Sequence, residues 1–176
     1  MERLSSRVVY RNPWMTVRED AIRRADGTEG MYGVVEKPDF ALVLPRWEGG
    51  FWLVEQYRYP VGRRAWEFPQ GSWAHGVDGT AAELARAELA EETGLRADAV
   101  VHLGHLFGAY GFSTQGFDVY LAMGLVQGEP EREPTEQDMR HRRFTDDEIT
   151  EATLSGLIVD APSLAALTLY RLRAGG

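Results

Sequence analysis

Three glutamates near the middle of the chain, Glu88, Glu91 and Glu92, have a spacing suited to metal chemistry. The positions i, i+3 and i+4 place all three carboxylates on one face of a helix, where they repel one another. A surface helix normally offsets such charges with Lys or Arg one turn away, and among positions 84, 87, 95 and 96, four residues from these glutamates, only Arg96 is basic. Hard divalent cations such as Mg²⁺ bind carboxylate oxygens together with substrate phosphates. The cluster therefore predicts a divalent-metal site, although a glutamate-rich surface helix would have the same spacing.

The flanking residues predict the helix that such a site needs. Thr80 followed by Glu83 fits a capping box, in which a hydroxyl and a carboxylate bind the free amide groups at a helix start. Gly94 fits the left-handed residue that closes a helix. We therefore expect one helix between Thr80 and Gly94, with Leu89 and several alanines packed inward.

This stretch resembles the Nudix box, the signature of a hydrolase superfamily. The matching residues are Gly71, Glu88, Leu89, Glu91, Glu92, Gly94 and Leu95. Two departures are visible: Ala87 stands where the signature has arginine, and the loop after Gly71 is longer by two residues. The resemblance implies an α/β fold, the Nudix α/β/α sandwich with a mixed sheet.

The resemblance also implies the chemistry. Glu88, Glu91 and Glu92 would hold Mg²⁺, or Mn²⁺, and take part in catalysis, together with the backbone carbonyl of Gln70. Metal ions at such a site neutralise phosphate charge and lower the pKa of a bound water. The expected reaction is hydrolysis of the diphosphate bond in a nucleoside diphosphate linked to another group. ADP-ribose or a nucleotide sugar is the favoured substrate, giving a nucleoside monophosphate and a sugar phosphate.

Two short motifs before the box indicate how the substrate is held. Gln56-Tyr-Arg58 and Glu67-Phe-Pro-Gln-Gly71 are similar to segments of the ADP-ribose and nucleotide-sugar pyrophosphatases, in which the arginine contacts the diphosphate. That similarity makes Arg58 and Glu67 substrate-binding candidates. An ion pair between them at the ends of two strands is the structural alternative. The Phe-Pro-Gln-Gly motif also occurs in Nudix enzymes that act on dinucleoside polyphosphates or RNA 5′ ends.

Two loops after the helix carry further candidates. Tyr110 and Phe112 lie in a glycine-rich loop where they could stack on a base or simply seal the loop. Gln115 in the same loop stands near the place where ADP-ribose enzymes have glutamate. The acidic loop that follows offers Glu133 as the favoured general base, with two alternatives, Glu131 and Glu136.

His102 and His105 lie in the strand expected between these loops and the helix. Strict alternation along a strand would place the two imidazoles on opposite faces of the sheet. We therefore expect no metal site from this histidine pair.

The first 38 residues read as an N-terminal antiparallel β unit, with strands separated by Asn12-Pro13 and by a hairpin turn at Asp26-Gly27. Residues 39–176 would form the Nudix hydrolase domain. Three strands alone bury too little surface to be stable. The segment resembles the N-terminal unit through which ADP-ribose pyrophosphatases form a homodimer, so a homodimer is expected. The alternative is an extension of the main sheet within one chain.

Composition restricts the partners. The chain has 176 residues, a net charge of −8 and no cysteine, so disulfides and thiolate metal sites are excluded. The acidic balance argues against nucleic acid as the main partner. No segment is apolar for long enough to cross a membrane or to direct secretion, so a cytoplasmic protein is expected. Lys37 is the only lysine, beside eighteen arginines.

Two other functions compete with this interpretation. One is hydrolysis of a dinucleoside polyphosphate or of an RNA 5′ end. The other is a Nudix-fold regulatory module that binds a nucleotide sugar with little or no turnover, which Ala87 and Gln115 favour. Comparing hydrolysis across a small substrate panel separates these possibilities.

Overall fold

A computed structural model describes residues 1–73, 79–132 and 137–175. The chain begins with three antiparallel strands, β1 (Glu2–Arg11), β2 (Thr16–Arg23) and β3 (Glu29–Glu36), in the order β1-β2-β3. The Asn12 side chain fixes the first turn, since its Oδ1 accepts hydrogen bonds from the amides of Trp14 (2.9 Å) and Met15 (2.8 Å).

This N-terminal unit is a sheet of its own, so its alternative interpretation as an extension of the main sheet is wrong. Every residue of β1 is exposed in the single chain. One isolated parallel bridge, between Val35 and Ser113, connects the unit to the rest of the described chain. The Tyr32 hydroxyl adds a hydrogen bond to the carbonyl of Gly111.

The second sheet has seven strands and forms the centre of the molecule. Its main path runs β10-β5-β4-β9-β8, with β6 paired to β5 and β7 paired to β4. The pairing of β4 with β9 is parallel and the other pairings are antiparallel, so the sheet is mixed. The strands are β4 (Phe40–Trp47), β5 (Gly50–Arg58), β6 (Arg63–Glu67), β7 (Gln70–Gly71), β8 (Leu95–Phe107), β9 (Gly116–Gln127) and β10 (Arg140–Thr145).

Helices cover both faces of this sheet. Helix α1 (Ala81–Thr93) lies on one face, where Leu84, Ala85 and Leu89 pack against alternate residues of β4. Helices α2 (Asp146–Leu154) and α3 (Ala161–Ala174) lie on the other, and their apolar side chains join Leu42 and Leu44 in the larger core. The expected α/β/α sandwich is confirmed. Among the described residues no helix is both long enough and apolar enough to span a membrane.

The helix expected from the capping signals is confirmed at both ends. Thr80 caps α1, and its hydroxyl and the Glu83 carboxylate make the two reciprocal hydrogen bonds of a capping box. Gly94 ends the helix with a φ of 74° and donates its amide to the carbonyl of Ala90. An added side chain at Gly94 would also collide with the carbonyl of Gly128, so this position needs glycine for two reasons.

The expectation that His102 and His105 lie on opposite faces of the sheet is wrong. The register between β8 and β9 shifts by one residue between His102 and Gly104, which is a β-bulge. The extra residue cancels the alternation, and both imidazoles reach one carboxylate. His102 Nε2 lies 2.7 Å from Asp118 Oδ1, and His105 Nδ1 lies 3.4 Å from Asp118 Oδ2.

Candidate active site

The box glycine and the first box glutamate are in direct contact. Gly71 ends the short strand β7, which pairs with Ala41 and Leu42 of β4. A Cβ atom at position 71 would overlap the carboxylate of Glu88. The absence of a side chain there is what lets the α1 carboxylate reach the backbone of β7.

The other two glutamates lie further along α1. Glu92 is 1% exposed, which is rare for a carboxylate, whereas Glu91 is half-buried. The backbone of the following loop packs on this end of the helix: the amide of Glu131 donates to the carbonyl of Glu91 at 3.0 Å. Arg132 also donates from Nε to the carbonyl of Glu92 at 3.1 Å. The acidic loop is therefore attached to the C-terminal end of the helix that carries the glutamates.

No three carboxylate or imidazole groups in the described parts of the chain converge into a preformed metal cage. Hard divalent cations take oxygen ligands from side chains, backbone carbonyls and water. The chemistry of the donors fits as well, since all three are hard carboxylate oxygens. Glu88 lies on the backbone of β7, so the carbonyl of Gln70 is close to the same place in the fold.

Arg58 and Glu67 form an ion pair with each other, which is the structural alternative to a direct role of both residues in substrate binding. Arg58 donates from Nε to Glu67 Oε2 at 3.1 Å, and a second Arg58 nitrogen donates to Oε1. Gln56 Nε2 donates to the same Oε1 at 2.7 Å. Strand pairing between β5 and β6 brings these three residues together, as the two sequence motifs suggested.

Burial controls the electrostatics of this pair. It raises the pKa of Glu67 above the ordinary carboxyl value, and Arg58 offsets only part of that effect. Burial alone would lower the pKa of Arg58, yet the attraction of Glu67 raises it above its ordinary value, with smaller contributions from Glu92 and Asp160. The influence of Glu92 on Arg58 links the ion pair to the glutamates of α1. The Arg58 side chain remains 41% exposed, so donors that do not bind Glu67 can reach a ligand.

An open cleft of about 600 Å³ adjoins this ion pair and the box glycine. Its volume lies in the usual range for small-molecule sites. Gln70 and Asp160 both line it, and Gln70 donates from Nε2 to Asp160 Oδ2 at 3.2 Å. The lining residues are Lys37, Phe40, Arg58, Pro60, Val61, Ala65, Glu67, Gln70, Gly71, Ser72, Gln115, Val159, Asp160, Ala161 and Pro162.

The structure brings four of the predicted site residues together at the cleft, Arg58, Glu67, Gln70 and Glu88. Arg58, Glu67 and Gln70 line the cleft, and Glu88 contacts its floor at Gly71. Tyr110 and Phe112 do not line it: they are 83% and 58% exposed, in the loop that bonds to β3. The favoured base, Glu133, lies outside the described residues, as does Glu136. Glu131 is described and is exposed, with a carboxylate 4.0 Å from Arg96.

Three cleft or loop residues were not among the sequence candidates. Asp160 reaches the cleft because it caps α3, where its Oδ2 accepts from the amide of Ser163 at 2.8 Å. Its sequence signal, an Asp two residues before Pro162 at a helix start, indicated a cap and not a site. Lys37 and Arg132 had no recognisable local motif, and only the tertiary structure reveals where they lie.

The arginine missing from the box is not replaced by its neighbour. Arg86 donates from Nη1 to the carbonyl of Ala97 at 2.7 Å and so holds α1 to the start of β8. Ala87 itself is half-buried. Two cations from other elements approach this helix in the described chain: Arg58 of β5, whose pKa Glu92 helps to raise, and Arg132 of the loop, which donates to the backbone carbonyl of Glu92.

Comparisons with known proteins place the chain in a family. Residues 36–161, well over half of the chain, match the family described as "NUDIX domain". The chain belongs to the Nudix family. Residues 1–35 match the "Nucleoside diphosphate sugar hydrolase N-terminal domain". The enzyme class expected from the sequence, a Nudix hydrolase, is confirmed, and hydrolases of this family generally use divalent metal ions.

Two relatives extend the comparison. The chain is 35% identical to the ADP-ribose pyrophosphatase of Mycobacterium tuberculosis, over 94% of this chain and 81% of that protein. It also superposes on a crystal structure titled as an ADP compounds hydrolase with a TM-score of 0.86, covering 100% of this chain and 97% of that one. Since that pair is 20% identical, the superposition establishes the Nudix fold and nothing finer.

Proposed function

We propose that this Nudix hydrolase cleaves the diphosphate bond of ADP-ribose or a related nucleotide sugar with Mg²⁺ as cofactor. The observation that carries the proposal is the contact of Glu88 with Gly71 at the floor of a cleft whose wall is the Arg58–Glu67 pair. The 35% identity to an ADP-ribose pyrophosphatase and the match of residues 1–35 support this choice of substrate.

The residues fall into distinct roles in this proposal. Glu88, Glu91 and Glu92, with the carbonyl of Gln70, would hold Mg²⁺, which neutralises phosphate charge and supplies an activated water when it is bound. Arg58 donates to the diphosphate with the nitrogens that Glu67 leaves available. Glu67 holds the guanidinium plane in place through its two hydrogen bonds, so Arg58 need not be ordered when substrate binds.

The remaining predicted residues stay predictions. We propose Glu133 as the general base that takes the proton of the attacking water. Tyr110 and Phe112 lie outside the cleft lining and are exposed, and we propose them as residues that stack on the base of the substrate. The products would be a nucleoside monophosphate and a sugar phosphate.

The decisive experiment is a hydrolysis screen that detects released nucleotide. ADP-ribose, a nucleotide sugar, a dinucleoside polyphosphate and a 5′-triphosphorylated RNA are compared with Mg²⁺, with Mn²⁺ and with EDTA. We expect the highest kcat/KM with ADP-ribose or the nucleotide sugar and no product with EDTA. Preference for the polyphosphate or the RNA would contradict the substrate, and metal-dependent binding without product would instead establish a regulatory module.

We also propose that residues 1–38 form a dimerisation unit and residues 39–176 the hydrolase domain. The N-terminal sheet leaves Val8, Tyr10, Trp14 and Met31 exposed, which is unusual for a stable three-stranded sheet without a partner. Sedimentation equilibrium should give twice the mass of one chain, and the mass of a single chain would contradict the dimer. The cytoplasmic location stays a sequence-based prediction that cell fractionation would test.

A further inference from the structure

The only lysine of the chain lies in the candidate active site. Lys37 belongs to the short linker between β3 and β4, and it lines the cleft together with Phe40 and Gln115. Arginine outnumbers lysine eighteen to one in this sequence, so the composition of the chain predicts arginine and not lysine at a basic position of the cleft. Within residues 1–73, 79–132 and 137–175 no carboxylate forms an ion pair with Lys37.

The other charges of the cleft make this cation distinctive. Arg58 is the second cation in the lining, and its charge is already balanced by Glu67. Asp160 adds a further negative charge opposite Gln70. The cleft therefore offers a diphosphate two cations. Arg58 is paired with the Glu67 carboxylate, whereas Lys37 has its full charge for binding phosphate oxygens.

The backbone around Lys37 is held firmly by the loop that follows β8. Gln115 Nε2 donates to the carbonyl of Pro38 at 2.8 Å, and the amide of Gly116 donates to Asp39 Oδ1 at 2.7 Å. On the other side of Lys37, Val35 donates its amide to Phe112 (2.8 Å) and accepts from Thr114 (2.9 Å). The linker is thus fixed both before and after the lysine, although the ammonium group keeps its own freedom.

We propose that Lys37 contacts the diphosphate oxygens of the substrate and that Gln115 is a positioning residue that holds the linker for it. This inference rests on the proposed function and adds a specific binding residue to it. An ammonium group carries three donors and a compact charge, which suits a phosphate oxygen in an open cleft. Gln115 takes a structural role at a position where the family resemblance would suggest a catalytic carboxylate.

The first test compares Lys37→Ala, Lys37→Arg and the control Arg173→Ala, which removes one exposed positive charge from the end of α3, away from the cleft lining. We expect Lys37→Ala to raise the KM for the diphosphate substrate by about 5- to 30-fold, with kcat within about twofold of the wild type. Lys37→Arg should restore most of the loss, and Arg173→Ala should change nothing. An unchanged KM in Lys37→Ala, or a loss confined to kcat, would overturn the proposal.

A double-mutant cycle tests the role of Gln115. Gln115→Ala should raise KM in the same direction as Lys37→Ala but less, because the linker loses one hydrogen bond. In a chain that already carries Lys37→Ala, the Gln115 substitution should add little. An equal effect in both backgrounds would show that Gln115 acts independently of Lys37, which overturns the positioning role.

A binding measurement keeps this inference separate from the proposed function. If the wild type hydrolyses no substrate in the panel, the proposed function fails. Calorimetry with Mg²⁺ and an ADP-ribose analogue bearing a methylene in place of the bridging oxygen then tests Lys37, with adenosine as the ligand without phosphate. Lys37→Ala should weaken only the analogue. Equal affinities of wild type and variant for the analogue would overturn the role of Lys37.

Discussion

Helices α1 and α2 begin in the same way and yet serve different purposes. Each starts with a Thr-x-x-Glu capping box, at Thr80 and at Thr145, and each makes both reciprocal hydrogen bonds. Each is short and rich in acidic residues, with a buried apolar face on the central sheet. From local sequence alone, both helices would qualify as acidic surface helices.

The difference lies in which groups contact the acidic residues of each helix. The acids of α2 are exposed or half-buried, and two of them pair with arginines of neighbouring strands: Asp146 with Arg46 at 3.0 Å and Glu148 with Arg142 at 3.3 Å. On α1, Glu88 instead lies against the bare backbone of Gly71, and Glu92 is buried close enough to Arg58 to affect its pKa. The same residue type is therefore neutralised at the surface on one helix and gathered beside a cleft on the other.

The largest expected effect separates the two helices by activity. Glu92→Gln on α1 should lower kcat/KM with Mg²⁺ by about 100-fold or more, because a ligand charge is lost where phosphate charge develops. Glu151→Gln on α2, an exposed position, should leave kcat/KM unchanged. Steady-state kinetics on both folded variants provides the measurement. Near-normal activity of Glu92→Gln would mean that its assignment as a metal ligand is wrong.

A second variant tests the contact that distinguishes α1. Gly71→Ala places a methyl group where the Glu88 carboxylate lies, so the carboxylate must move. We expect kcat/KM to fall by about tenfold or more and the Mg²⁺ concentration for half-maximal rate to rise. Gly108→Ala is the matched control, since an added Cβ there meets no atom within 4 Å. Equal kinetics for both alanine variants would contradict the importance of this contact.

The ion pairs beside the two helices should differ in stability. Arg58→Ala leaves Glu67 buried without its cation, and we expect a loss of about 1–3 kcal/mol in the free energy of unfolding, less than for a fully buried pair because Arg58 is partly exposed. Arg46→Ala near α2 should lose less through its surface pair with Asp146, about 0.5 kcal/mol. Urea denaturation measures both. Adding Glu67→Gln to Arg58→Ala should recover part of the loss, and no recovery would contradict an unpaired charge as the cause.

The loss in the free energy of unfolding caused by Arg58→Ala should depend on pH. Because burial raises the pKa of Glu67 in the folded protein above its unfolded value, the folded state holds a proton more readily. The contribution of Glu67 to the free energy of unfolding is therefore highest below the ordinary carboxyl pKa. That contribution falls as pH rises through the pKa that Glu67 has in the folded protein. Without Arg58 that fall should be larger, so the variant should lose more stability at neutral pH than at pH about 4. A loss that does not vary with pH would point to packing and not charge.

The smallest expected effect concerns the capping boxes that begin both helices. Thr80→Ala and Thr145→Ala should each cost about 1 kcal/mol in the free energy of unfolding, because each removes one capping hydrogen bond. Only Thr80→Ala should also lower activity, since it frays the helix that carries the glutamates. An activity loss of the same size in Thr145→Ala would indicate that both helices act on the site through general stability.

Local sequence predicted well the elements that depend on local interactions. The capping residues and Gly94 determine where α1 begins and ends, because the free amides and carbonyls of a helix end are bonded within a few residues. The spacing of the glutamates likewise places their carboxylates on one face. The error at His102 and His105 also has a local cause: a bulge adds one residue beside Gly104, and a glycine inside a strand is a signal for a bulge that strict alternation ignores.

The sequence by itself determined the helix, its acidic face, the glycine that this face requires and the short motifs that carry Arg58 and Glu67. Only the tertiary structure decided which groups share the cleft, since Lys37, Gln115 and Asp160 come from three segments far apart in the chain. Their meeting depends on the parallel pairing of β4 with β9 and on the packing of α3 under β4. Such long-range contacts are set by burial of the whole core, and no window of local sequence contains that information.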